Sequence, residues 1–146
     1  MAALVHQEAV IKWIKNQVHY DIIHKEASQN GDTGPDLVLG IDGKLVFFEA
    51  IAYTEKPKGK NQSDFWKAFA QAISRLNPNS EHGKPDSIVL ALPIKFWTGW
   101  KERTEIHGND VWKTIGNAFP MLYIWFVGEN EIKQFTWNDS YDVAHS

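Results

Sequence analysis

From Leu4 to Val18 the apolar positions Leu4, Val5, Ala9, Ile11, Trp13, Ile14 and Val18 recur at mixed three- and four-residue steps, with Lys12, Lys15 and Asn16 between them. That period predicts an amphipathic helix. Tyr20, Ile22 and Ile23 lead into His24-Lys25-Glu26, a short β-favouring run that ends in the turn formers of residues 28–34. Pro35-Asp36-Leu37-Val38-Leu39-Gly40 and Lys44–Ala52 then flank Ile41-Asp42-Gly43. Asp-Gly between β-rich runs is a strong hairpin signal, because both positions tolerate a positive φ, so these runs are expected to pair antiparallel.

Residues 56–62 form a basic loop containing Pro57 and Gly59, and Ser63 reads as the N-cap of a helix reaching Leu76. Its core face is Phe65, Phe69, Ala72, Ile73 and Leu76. Two prolines and a glycine break the chain over residues 77–85. The nearly continuous apolar run Ser87–Leu92 that follows predicts a central strand buried on both faces. A helix over 110–118 and two strands, 121–127 and 131–137, complete the chain. The expected class is α/β, one mixed sheet with helices around it: helix, three strands, helix, strand, helix, two strands.

Composition narrows the chemistry. The 146 residues include no Cys, which removes disulfides, thiolate metal sites and thiol catalysis. One domain over 1–146 is expected, since no linker or repeat divides the chain. No apolar run is long enough to span a membrane, and the N-terminal residues lack a signal-peptide pattern, so a cytoplasmic protein without a membrane partner is expected. Net charge is -3, yet residues 56–67 carry Lys56, Lys58, Lys60 and Lys67 against Asp64. A local phosphate-binding patch remains compatible with that balance.

The hairpin carries the candidate chemistry. Asp36 lies about six residues before the Asp42-Gly43 turn and Glu49 about six after it, which makes them near cross-strand neighbours with Cβ atoms roughly 5 Å apart. Like charges at that range repel unless a proton or cation lies between them, and a hard divalent ion suits oxygen ligands. Glu49 also sits in an apolar strand, where a bare carboxylate is expensive to desolvate. Pairing geometry alone leaves two readings equally open: a metal site, or a turn-capping Asp36 with Glu49 in an ordinary buried ion pair.

Gly34-Pro35-Asp36-Leu37-Val38-Leu39, the Asp-Gly hairpin and Val46-Phe47-Phe48-Glu49-Ala50 together resemble the PD-(D/E)xK nuclease superfamily, the restriction-endonuclease-like fold. The resemblance covers residues 5–92 (helix, three-strand meander, crossover helix, further strand), with 93–146 as elaboration. It implies metal-dependent phosphodiester hydrolysis on DNA, with Asp36 and Glu49 holding Mg²⁺ or Mn²⁺. Glu8 matches a carboxylate that some members add to the metal, and Gln71 resembles a helical Gln found in many. Members often act as dimers, which leaves a homodimer open.

The chain departs from the pattern where a lysine is expected two residues after the second acid, on the same strand face; here that position is Ile51. An isoleucine can neither orient water nor stabilise a pentavalent transition state. Either the lysine has moved, or the chain is an inactive member serving as a nucleic-acid-binding or assembly subunit. Moved-cation candidates are Lys67, Lys25, Lys58 and Lys60. Lys67 shares a helix face with Gln71, but that face lies about 200° from Phe65, toward solvent. Simple alternation puts Ile23 and Lys25 on one strand face and His24 and Glu26 on the other. Lys56, Lys58 and Lys60 are the candidate contacts to DNA phosphates. Of the seven Trp, most fall on apolar faces and read as core, whereas the segment 96–100 reads as a loop with a binding edge.

Overall fold

A computed structural model describes residues 5–26, 34–55, 59–77 and 82–146. The helices are α1 (Gln7–Gln17), α2 (Lys60–Ser74), α3 (Trp100–Glu105), α4 (Gly108–Ala118) and α5 (Trp137–Ala144). The strands are β1 (Ile22–Glu26), β2 (Leu37–Ile41), β3 (Lys44–Ala50), β4 (Ser87–Pro93), β5 (Leu122–Val127) and β6 (Ile132–Thr136). They form one mixed sheet in sequential order, β1 to β6. β1, β2 and β3 are an antiparallel meander; β3, β4 and β5 run parallel, and β6 returns antiparallel. No described helix is long and apolar enough to cross a membrane.

Alternation of side chains divides the core between two faces. Val10, Ile11 and Ile14 of α1 pack on Leu37, Leu39, Val46, Phe48, Val89 and Trp125. On the other face, α2 to α5 cover Val38, Phe47, Ile51, Ile88, Leu90 and Ile124. Covering on both sides explains the continuous apolar run of β4, whose residues from Ile88 to Pro93 are all buried. The hairpin turns at Asp42-Gly43, both at positive φ (51° and 78°), with Ile41 opposite Lys44.

Three boundaries differ from the sequence pattern. α2 starts at Lys60 with Gly59 (φ 88°) as its N-cap, and Ser63 lies inside the helix, donating its N–H to Gly59 O. The early start is held by Asn61, whose amide exchanges hydrogen bonds with the Thr54 backbone. The segment 96–100 is not an exposed edge: Phe96 and Trp100 are buried, and Trp97 stacks on Phe135 at 5.1 Å. It leads into α3, which the pattern did not foreshadow. β6 stops at Thr136, which caps α5 by accepting from the Asp139 N–H.

β1 also departs from simple alternation. Its register to β2 runs Ile22 to Gly40 and Ile23 to Leu39, then Lys25 to Val38 and Glu26 to Leu37, leaving His24 as an extra residue in a β-bulge. Ile22 and His24 lie over Gly40, where a Cβ would come within 2.7 Å of Ile22 Cγ2 and 3.4 Å of His24 Nε2. Lys25 then follows opposite Val38, on that same face, whereas Glu26 points the other way and meets Lys15 of α1 at 2.6 Å. Ile23 and Lys25 therefore do not share a face, because the bulge resets the alternation.

The second core is centred on tryptophans. Trp112 and Trp137 stack with centroids 4.1 Å apart, and each indole N–H donates to the other residue's carbonyl at 2.8 Å. Gly116 lets α4 and α5 approach: a Cβ there would clash at 2.0 Å with Asn138 Oδ1. Trp137→Ala removes one ring of the stack and one of the reciprocal bonds. It is expected to cost about 3–5 kcal/mol, read as a lower urea midpoint at unchanged m-value.

Candidate functional site

Asp36 precedes β2 and Glu49 is the penultimate residue of β3. The register of Leu37 with Phe48 brings Asp36 opposite Glu49 as the next pair, and the Asp36 N–H donates to Phe48 O at 3.0 Å. Val38, Phe47 and Ile51, which alternate with these acids along their strands, belong to the core under α2. Both carboxylates therefore leave the sheet on the α2 face. Asp36 Oδ2 accepts the Ala50 N–H at 2.8 Å.

Glu49 is 2% exposed, and Arg75 Nε, just beyond the last turn of α2, donates to its Oε1 at 2.8 Å. The buried ion pair, one of the two readings open for Glu49, is made with an arginine that the sequence pattern had not singled out. Desolvation pushes the Glu49 pKa from 4.5 up to about 7. The Arg75 hydrogen bond and charge oppose that rise, the nearby Asp36 charge adds to it, and Lys25 lowers it. Asp36 is also raised by burial, against the Ala50 N–H and the charges of Arg75 and Lys25. Two acids and two cations thus converge from β1, the approach to β2, β3 and the end of α2.

Beside this cluster, at the carboxyl end of β3, opens a cleft of about 510 Å³. In parallel α/β units such clefts are the usual binding place. Asp36 and Ile51 line one side; Lys60, Asp64, Lys67 and Gln71 of α2 line the other. Lys67 is exposed, as the helical wheel requires, yet it stands on the cleft wall one turn from Gln71. Lys60 is held 3.0 Å from Asp64. Gln7 of α1 reaches the same cleft and donates to Ala50 O at 3.0 Å.

Ile51 is 2% exposed, packed in the core, and its N–H donates to Ala91 O. Glu49 does not line the cleft but lies beneath it, paired to Arg75. Glu8 is exposed in the first turn of α1 and is not among the cleft residues. Among the described residues no group of three His, Asp or Glu side chains is placed to hold a metal ion. Lys56 and Lys58 lie outside the described residues.

The Glu49 shift has a consequence for stability. The folded protein binds the Glu49 proton more tightly than the unfolded chain, so the contribution of Glu49 is fully present below pH 4.5 and is lost as pH rises to about 7. Relative to Glu49→Gln, the wild type should lose stability across that interval and run parallel to the variant above it. Urea titrations at a series of pH values test this; a wild type that gains on the variant between pH 5 and 7 would contradict it.

No protein-family model matches the chain, and neither a curated protein nor a solved structure matches it, so a functional reading has to come from the residues themselves.

Proposed function

We propose that this protein is a small cytoplasmic nuclease of the restriction-endonuclease-like type, hydrolysing phosphodiester bonds of DNA with Mg²⁺ or Mn²⁺. One observation carries the reading: Asp36, just before β2, and Glu49 of β3 stand on the same sheet face at the open end of their hairpin. The order of helix, three-strand meander, crossover helix and parallel strand supports it, being the arrangement the resemblance implies.

The donor set fits a hard cation. The described hydrogen bonds engage Asp36 through Oδ2 and Glu49 through Oε1, and Mg²⁺ commonly takes only one or two carboxylates, completing its shell with water and substrate phosphate. Asp36 and Glu49 would hold it. When bound, such an ion polarises the scissile phosphate, acidifies water and offsets charge on the leaving oxygen. The chain's own contribution is placement. The Ala50 N–H fixes the Asp36 carboxylate, and Arg75 opposes the rise that burial imposes on the Glu49 pKa, favouring the charged form that a cation would require. Lys60, Lys67 and Gln71 present donors to the DNA backbone along the cleft.

A second reading has its own support. Ile51 is buried where the resemblance calls for lysine, and Glu49 already has a cationic partner, which favours an inactive member that binds nucleic acid or a protein partner, itself or another.

Plasmid nicking separates the two readings. Purified protein with Mg²⁺ or Mn²⁺ is expected to convert supercoiled DNA to the open-circular form, and Asp36→Ala to reduce this to background, a loss of at least about 10²-fold. Equal nicking by Asp36→Ala would place the activity elsewhere, and no nicking by the wild type would favour the binding subunit.

A further inference from the structure

We infer that the open half of the α1 face of the sheet is a binding site for a small hydrophobic amine, an apolar ring body carrying an ammonium group, with Asp139 as its counter-ion. The site lies on the opposite face of the sheet from Asp36 and Glu49 and does not depend on the nuclease reading.

The space follows from how α1 is laid down. Gln7 at its start donates to Ala50 O at 3.0 Å, and Gln17 at its end donates to Gly128 O at 2.6 Å. The helix therefore crosses the sheet from the carboxyl end of β3 to just past the carboxyl end of β5. Its 11 residues make a rod only about 16 Å long, and the chain leaves it in extended conformation at Val18. Among the described residues α1 is the only helix in this layer, so it covers the carboxyl halves of the parallel strands and leaves their amino halves open. There a pocket of about 430 Å³ is formed, inside the range of roughly 300–1,000 Å³ usual for small ligands.

The pocket is apolar on one side and polar on the other. Ile41 and Val46 line the hairpin side, and Val89 and Trp125 form the floor. Register sets Val89, Tyr123 and Thr136 in one row across β4, β5 and β6, with Gln134 beside Trp125. Thr136 Oγ1 accepts the Asp139 N–H at 3.1 Å, which holds the first turn of α5, and Asp139 with it, at the β6 edge. β3 and β6 are three strand spacings apart, roughly 14 Å, a gap that a ring with a short alkylamine chain spans from Val46 to Asp139.

Charge decides the ligand class. Asp139 is the one charged side chain among the described pocket residues, and it is exposed. Its carboxylate makes no hydrogen bond or ion pair among the described residues; Lys113, on the neighbouring α4, is paired with Asp142 instead. An anion in the pocket would meet Asp139 with no cation to offset it, and an uncharged apolar ligand would leave that carboxylate unused. An ammonium is attracted both by the carboxylate and by the electron-rich ring faces of Tyr123 and Trp125. Trp125 is held in place for this by its edge-to-face contact with Phe48, centroids 5.3 Å apart.

The test uses the full chain and three probes that share one apolar body: phenylbutylamine, phenylbutanol and phenylbutyrate. In proton–nitrogen correlation spectra the amine is expected to shift the Gln134 amide and the Trp125 indole N–H, the latter identified by its loss in Trp125→Phe. The shifts should saturate with a Kd about fivefold or more below that of the alcohol, and the carboxylate should show no saturable binding. Asp139→Asn should bring the ratio of the two Kd values to about one while leaving the alcohol's Kd in place. Ser87→Phe, which fills the pocket from β4, should weaken amine and alcohol together. The inference is overturned if the amine binds no tighter than the alcohol, if Asp139→Asn keeps the preference, or if the saturable shifts map outside the pocket. Sedimentation velocity without probe checks the other occupant: a dimer that Ser87→Phe dissociates would assign this face to a second copy of the chain and overturn the inference as well.

Discussion

A carboxylate in the middle of a buried strand must be compensated, and at Glu49 the compensation comes from Arg75. The guanidinium reaches Glu49 Oε1 at 2.8 Å from the end of α2, so the crossover helix is tied to the strand it covers by charge as well as by Phe65, Ala68 and Ala72. Such a pair is poor evidence of net stability, because desolvating both ions consumes much of the Coulombic gain; removing one partner alone typically costs about 3–5 kcal/mol. An apolar pair of similar volume would serve packing at least as well. Two acids on one sheet face are what the proposed metal site would require.

The sheet turns this local arrangement into a site. β3 is the hinge of the topology, antiparallel to β2 on one side and parallel to β4 on the other. The hairpin brings Asp36 opposite Glu49, while the parallel connection requires a crossover and so lays α2 over the same face. The cleft is the gap left between the start of that helix and the end of the strand. Its walls are polar because α2 turns Lys67 and Gln71 away from the core stripe of Phe65, Ala68 and Ala72 but not fully away from the strand end.

Much of this was legible in the sequence, and what was not has identifiable causes. Asp42-Gly43 announced the hairpin through local backbone chemistry, and counting outward from it brought Asp36 to Glu49. The unbroken apolar run at 87–92 announced a strand covered on both sides. Arg75 was hidden because a residue just past a helix end carries no periodic signal, and which strand position it meets depends on the whole length of α2. The β1 bulge was hidden because one extra residue in an edge strand leaves the hydrophobic pattern nearly unchanged while reversing the face of everything after it. α5 was hidden because Trp137 extends the β-like run Ile132–Thr136 by one residue; the competing signal was the Thr136 cap with Asp139 three residues later.

Charge counting bears on what the cluster is for. Asp36 and Glu49 are matched by Lys25 and Arg75, so the four groups, fully ionised, sum to zero. A neutral cluster has no general attraction for a phosphodiester, which carries one negative charge, and gives little reason for a binding subunit to bury it. A divalent cation held by the two acids would leave the same cluster at plus two. That sign suits the ground-state phosphate and suits still better a transition state into which hydroxide has brought a second negative charge. Under the proposed reading, the arrangement would be balanced for folding without the cation and complementary to the transition state with it. A permanently cationic patch would not join these two properties, since it would bind substrate without distinguishing it from the species being formed.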